Sequence, residues 1–237
     1  MPNRSYEDPF ELQHISDADH VRERYRMYIG DVESSQTPNC LLRDAFCLAI
    51  DQLLAKTCSR IRVEFTLSGT ATVDHNGIPS GVYPEDRFDG KSETEMIVST
   101  LRFCQRRAAH EYVTDHVCRN SFPVVNFLSD YFRIDNYHST GHWSQSYVRG
   151  IPKESFHRVD ACDRSGMTIE FRPDHAMFGN TTFDLHEMVE WFNGLPLDHS
   201  AFTIEWIDKR GDATEPRDAR KSPNASLGNG KSNPATS

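Results

Sequence analysis

Asp44 and Asp51 stand seven residues apart in a stretch, Asn39 to Ala55, whose apolar residues recur at helical spacing. Two turns of helix bring both carboxylates to one side. A carboxylate placed there can take a proton as a general base or offer oxygen to a hard cation. An acidic residue on a solvated helix face is the plainer reading of the same spacing. Leu48 lies on that side too, off the main stripe of Leu42, Ala45, Phe46, Ala49 and Leu53. An apolar residue between two acids makes any pocket on this face partly hydrophobic. Asp74 is a third acid, at the end of a strand and just before Asn76-Gly77, a place that also suits an Asx turn.

Other chemistry-bearing groups are scattered. His138 and His142 flank a turn, and His110 and His116 follow a helix. Zinc could draw on them, but exposed or capping histidine is the ordinary role. Arg102, Arg106, Arg107 and Arg119 form a small basic cluster that suits a phosphate, an acidic partner or a solvated helix face. Six cysteines carry no Cys-x-x-Cys pair, which reads as free thiols in a reducing compartment ahead of a disulfide or zinc framework. Neither a P-loop nor a Gly-x-Ser-x-Gly elbow is present.

The elements that must position these groups are helices mixed with hairpin strands. Asp17 to Tyr25 reads as a helix capped by Ser16 or Asp17, and Asn39 to Ala55 as a stronger one. Ile61, Val63 and Phe65 alternate as a strand, Ser68-Gly69 turns, and Thr70 to Val73 returns before Asp74-His75-Asn76-Gly77 breaks it. Ser92 to Arg106 and Phe122 to Leu128 read as helices. Tyr131 to Tyr137, His142 to Arg149, Ser155 to Asp160 and Met167 to Phe171 read as strands. Leu185 to Phe192 is a last helix and Phe202 to Ile207 a last strand. The mixture predicts an α+β fold, a two-layer sandwich, and not a doubly wound parallel sheet.

Within 237 residues, one folded unit is expected at 15–210, between a flexible N-terminus at 1–14 and a disordered polar tail at 211–237 rich in Ser, Asn, Gly, Pro and Lys. The net charge of -9 disfavours direct binding of nucleic acid by the domain as a whole. No apolar run is long enough to span a membrane, and no signal-peptide core opens the chain. A cytoplasmic protein is expected.

Several segments, in order, resemble the N-terminal ATPase domain of gyrase B and of its topoisomerase IV counterpart. Val21-Arg22-Glu23-Arg24-Tyr25-Arg26-Met27-Tyr28-Ile29-Gly30 is similar to that family's Val-Arg-x-Arg-Pro-Gly-Met-Tyr-Ile-Gly. Asp44 with Ala49-Ile50-Asp51 resembles its Glu-x-x-x-Asn-Ala-Ile-Asp helix, and Asp74 with Gly77-Ile78-Pro79 its Asp-Gly-Arg-Gly-Ile-Pro turn. Val124 to Ser129 matches Val-Val-Asn-Ala-Leu-Ser, and Gly166 to Asp174 matches Gly-Thr-x-x-x-Phe-x-Pro-Asp. Asp208-Lys209-Arg210 closes the match, which covers nearly all of the expected folded unit. The resemblance implies the two-layer sandwich of the GHKL (Bergerat) ATPases.

It also implies roles. Asp44 falls at the general-base position, one methylene shorter than the family's glutamate. A misplacement near 1 Å can cost on the order of a hundredfold in rate. Leu48 falls where the family's asparagine holds Mg²⁺, and an apolar side chain ligates no hard cation. Candidate nucleotide contacts are Asp51, Asp74, Gly77, Ile78, Pro79 and Met167. Asp74 takes the adenine position if the loop is one residue short; without a gap Val73 takes it. Met167 replaces the threonine of the last strand motif, and Tyr25-Arg26 replaces Pro-Gly. The glycine-rich lid of the family is Asp115-His116-Val117-Cys118-Arg119-Asn120-Ser121 here, without a glycine. Asp115, His116, Arg119 and Ser121 are therefore altered lid positions, since glycines let backbone N–H groups approach phosphates.

Motifs that shape the fold persist while those that handle phosphate and Mg²⁺ are replaced. The expectation is a stand-alone pseudo-ATPase acting through protein contacts, with a protein partner, a homodimer or a type II topoisomerase subunit as candidates. No cofactor and no metal is expected. The alternative is a slow ATPase module of a split or truncated topoisomerase, with ATP and Mg²⁺ as its ligands. Because the chain stops where gyrase B would begin its transducer domain, strand passage by this chain alone is not expected.

Overall fold

The computed structural model describes residues 15–30, 34–101, 103 and 122–211. Ser16 opens α1 (Asp17–Glu23), its Oγ accepting from Asp19 N at 3.1 Å. A short α2 (Tyr25–Ile29) follows and ends at Gly30, whose φ of +81° suits a residue without Cβ. The helix expected over Asn39 to Ala55 is two, α3 (Thr37–Ala45) and α4 (Cys47–Leu54). Phe46 at the junction keeps helical dihedrals, and its carbonyl accepts from Ile50 N at 2.9 Å. The stripe of Leu42, Ala45, Phe46 and Ala49 therefore runs through the junction and is buried.

Next come β1 (Arg60–Phe65) and β2 (Ala71–His75), then a small ribbon of β3 (Pro84–Glu85) and β4 (Lys91–Ser92). β2 continues through Asp74 and His75 and is not broken there, because both residues pair with β1 and with a later strand. Ser92 and Glu95 form a reciprocal capping box on α5 (Glu93–Ser99). This helix stops short of the expected Arg106, since Thr100 is extended. Then follow α6 (Phe122–Phe127), β5 (Ser129–His138), β6 (Gly141–Val148), β7 (Ile151–Pro152), β8 (His157–Asp160) and β9 (Gly166–Pro173). The chain closes with α7 (His175–Phe178), α8 (Leu185–Asn193) and β10 (Thr203–Asp208).

The other eight strands make one sheet ordered β10-β1-β2-β9-β5-β6-β7, with β8 also on β6. β1 and β10 pair in parallel and the other neighbours are antiparallel. Alternation sends Ile61, Val63, Ala71, Val73, Ile134, Ile169 and Phe171 into the core shared with α3, α4 and α6. The other face carries Arg62, Glu64, Thr72, Asp74, Arg133, Asp135, Thr168 and Glu170. One layer of helices thus covers one face of the sheet.

Cys40, Cys58 and Cys162 are free thiols, but Cys47 is disulfide-bonded, so the free-thiol expectation fails at that residue. No helix among the described residues is long and apolar enough to cross a membrane.

Candidate functional site

The helix side of the site is the face of α3 and α4 that carries Asp44 and Leu48. α3, which carries Asp44, packs against both β9 and α6. Asp44 is buried at 6% exposure, and no hydrogen bond or ion pair holds its carboxyl among the described residues. Burial alone pushes its pKa up to about 8. At neutral pH the group is a neutral acid. Leu48 is half-buried and packs on the core, and Asp51 is half-buried one turn further on.

The sheet side is built by β2, β9 and β5. Val73 and His75 point to the helices; Asp74, between them, points to the opposite face. There Asp74 accepts from Arg60 Nη2 at 2.9 Å, from Thr168 Oγ1 at 2.7 Å and from Arg164 Nη2. Burial would raise its pKa, but Thr168, Arg164 and Arg60 together hold it below the ordinary carboxylate value. The structure therefore does not bring Asp74 together with Asp44, and Val73 occupies the helix-facing position.

His75 is buried at 4% exposure, and burial lowers its pKa to about 4, so the imidazole is neutral. Its Nδ1 accepts from Gly77 N at 3.2 Å, which leaves the proton on Nε2, and Nε2 has no partner among the described residues. Across the sheet His75 faces Met167, and Met167 faces Asn136. Asn136 donates to Ser80 O at 3.0 Å and to Thr94 Oγ1 at 2.9 Å; its Oδ1 is likewise buried without a partner. Ser80 Oγ sits 3.2 Å from Met167 Sδ.

The Gly77-Ile78-Pro79 turn is pinned to α4. Ile78 N donates to Gln52 Oε1 at 3.1 Å, and Ser165 Oγ donates to Gly77 O at 2.9 Å. A Cβ on Gly77 would stand 3.0 Å from the Gln52 side chain, so a larger residue there would force Gln52 to shift. Ile78 is 48% exposed and Pro79 half-buried. The altered lid positions Asp115, His116, Arg119 and Ser121 lie outside the described residues.

Sequence reasoning passed over His75, Asn136 and Gln52. Phase was the available signal: with Ala71 and Val73 inward, His75 is inward too. His138 and His142 do not share a site. His138 contacts Thr140, and His142 Nε2 lies 2.7 Å from Asp135 Oδ1. Among the described residues, Asp130, Asp174 and His175 have ligand atoms close enough to hold a metal. Their carboxylates already bind Arg172, Arg22 and Arg149, so a cation would have to displace guanidinium groups.

No protein-family model matches the chain. It is 27% identical over 191 residues to DNA gyrase B of Myxococcus xanthus, covering 80% of this chain and 23% of that protein. It is 28% identical over 212 residues to DNA gyrase B of Clostridium acetobutylicum, covering 88% of this chain and 32% of that one. The chain thus spans about a quarter to a third of the length of these relatives. Among solved structures, the 43K ATPase domain of Thermus thermophilus gyrase B, in complex with an aminocoumarin, superimposes with a TM-score of 0.68 at 24% identity. That match covers 81% of this chain and 49% of the other, and the shared fold is the two-layer GHKL sandwich. In sequence and in fold the chain resembles the N-terminal ATPase domain of DNA gyrase B.

Proposed function

We propose that this chain is a gyrase-B-like ATPase-domain homologue that has lost nucleotide hydrolysis and acts through protein contacts. The observation that carries this reading is the composition of the helix-facing wall. Asp74 has its partners on the far face, which leaves Val73, His75 and Met167 on the sheet side and Leu48 on the helix side. Magnesium triphosphate wants oxygen ligands and charge-assisted donors. Leu48 supplies no oxygen, His75 is neutral, and Asp44 is protonated at neutral pH. These residues do not fit Mg²⁺-ATP, and no hydrolytic step is derived through it.

A type II topoisomerase subunit or a second copy of the chain is the proposed partner, by analogy with the gyrase B relatives. The net charge of -9 argues against direct contact with DNA, and retention on a DNA column at low salt would overturn that point. A cytoplasmic location belongs to the same proposal.

Calorimetric titration of ATP and a nonhydrolysable analogue, with and without Mg²⁺, into the full chain tests the reading. No heat up to millimolar nucleotide is expected. Micromolar, Mg²⁺-dependent binding would replace it with the second reading, a slow ATPase module. What favours that second reading is Asp44, which keeps a carboxyl at the general-base position; its mark would be turnover that rises with pH through about 8. Under the first reading Leu48→Asn alone restores no ATPase activity, because the sequence 115–121 still lacks glycine.

A further inference from the structure

We propose that the outer face of the sheet carries a site for an alkylguanidinium group, in a solvent-open groove at β5, β6 and β8. The groove has a volume of about 370 Å³, and Tyr131, Arg133, Glu154, His157 and Val159 are among the residues that wall it. That volume lies at the lower end of the range for small-ligand sites. The groove opens on the face turned away from α3, α4 and α6, and it shares no residue with the helix-facing wall.

The chemistry of the walls selects a cation, because most of their donors are already used within the protein. Tyr131 Oη donates to Glu170 Oε2 at 3.1 Å. Ser146 N and Oγ donate to Glu154 Oε1 at 2.7 and 2.6 Å. Arg133 donates through Nε to Ser144 Oγ at 3.2 Å and through Nη2 to Asp135 Oδ1 at 2.9 Å, and the Asp135 carboxylate offsets its charge. His157 Nδ1 donates to Ser155 O at 2.9 Å, so Nε2 of the neutral ring is an acceptor. What remains is acceptor capacity and negative charge. Glu154 forms no ion pair among the described residues, and its bonds from Ser146 hold its carboxyl below the ordinary carboxylate pKa. Glu154 Oε2 and His157 Nε2 are the open acceptors, three residues apart in the chain. A guanidinium presents its N–H donors as a planar fork and serves two separate acceptors at once, whereas an ammonium is a point charge. The Tyr131 ring and Val159, 49% exposed, supply apolar surface for the alkyl stem.

The experiment titrates ethylguanidinium, N-acetylarginine amide and n-butylammonium into the full chain and follows the Tyr131 ring and Val159 methyl resonances by NMR. The two guanidinium probes distinguish the sources of this chemistry. Tighter binding of the capped arginine assigns the site to an arginine side chain of a peptide, and equal binding assigns it to a free small cation. Millimolar or tighter binding of a guanidinium is expected, with butylammonium at least about threefold weaker. Glu154→Gln, whose amide oxygen still accepts from Ser146, should weaken the guanidinium by about fivefold or more. Glu205→Gln removes an acid from the far edge strand β10 and should change binding less than about twofold. Unmoved Tyr131 and Val159 resonances up to tens of millimolar probe overturn the proposal. So does butylammonium binding as tightly as the guanidinium probes, or an equal loss from Glu154→Gln and Glu205→Gln, which would mark unspecific charge pairing. None of these outcomes bears on nucleotide binding at the helix-facing wall, so the pseudo-ATPase reading stands or falls separately.

Discussion

The two faces of the sheet carry the same kinds of residue and treat them in opposite ways. On the outer face Asp74 lies between Arg60 and Arg164, Asp135 lies 2.9 Å from Arg133 and 2.7 Å from His142, and Asp130 lies 2.7 Å from Arg172. On the helix-facing side Asp44, His75 and Asn136 keep groups that nothing pairs among the described residues. Asp74 and Asp44 are almost equally covered, at 7% and 6% exposure, yet the first carboxyl is held below its ordinary pKa and the second is pushed up to about 8. Cover alone does not set the sign. A cation within reach reverses it, as the competition between desolvation and pair attraction requires.

Asp174 gives the contrast its largest consequence. It is fully buried and binds Arg22 Nη2 at 2.6 Å and Arg149 Nε at 2.8 Å, and it caps α7 by accepting from Ala176 N at 3.0 Å. Arg22 also donates to Phe127 O at 2.9 Å, so this one ion pair fastens α1 to the end of α6 and to the end of β9. Asp174→Ala strands the Arg22 guanidinium, 20% exposed, against the core, while Arg149, 45% exposed, turns to solvent. The expected loss is about 3–5 kcal/mol in urea unfolding at pH 7. A loss under about 1 kcal/mol would show that paired burial matters no more than surface pairing.

Asp44 should behave in the reverse sense. The unfolded chain releases this proton near pH 4 and the native chain holds it to about 8. Between those values the unfolded state binds fewer protons, so stability falls as pH rises and then levels off. Asp44→Asn, a neutral mimic of the acid, should leave stability at pH 5 little changed. At pH 8 it should raise it by on the order of 2–4 kcal/mol. His75 gives the opposite limb: its pKa of about 4 lies below the ordinary value, so its contribution is present above about pH 6.5 and is lost as pH falls through 4. Equal wild-type and Asp44→Asn stabilities across pH 5–8 would mean that Asp44 finds a partner in solution.

Much of the frame was legible because it is local. The buried stripe of α3 and α4, the Ser92 cap and the Ser68-Gly69 hairpin turn each follow from residues a few positions apart. What sequence could not place depends on distant partners. β1 and β10 pair in parallel across some 140 residues, with Arg60 opposite Thr203. The choice between Val73 and Asp74 as the inward residue turns on Arg164 and Thr168, about 90 residues downstream. Asp44 read as the polar edge of an amphipathic helix because nothing local reveals that it is buried. His75 read as a turn residue because Asn76-Gly77 follows it, although the strand phase set by Val73 already pointed it inward.

The smallest expected effect lies where the outer face is most crowded with charge. Arg164 stacks on the Tyr137 ring, its Cζ 3.5 Å from the centroid, and pairs with Asp74 while 40% of its side chain stays exposed. Water and salt screen such a cation, and Arg60, 41% exposed, remains on the other carboxylate oxygen. Arg164→Gln should therefore lower stability by no more than about 1 kcal/mol, with a smaller loss in 1 M NaCl. It should also let the Asp74 carboxyl titrate at higher pH, measurable by NMR, since one of its two cations is gone. A loss comparable to that at Asp174 would mean that the outer face is sealed from solvent, and the contrast between the two faces would then have to be drawn from geometry alone.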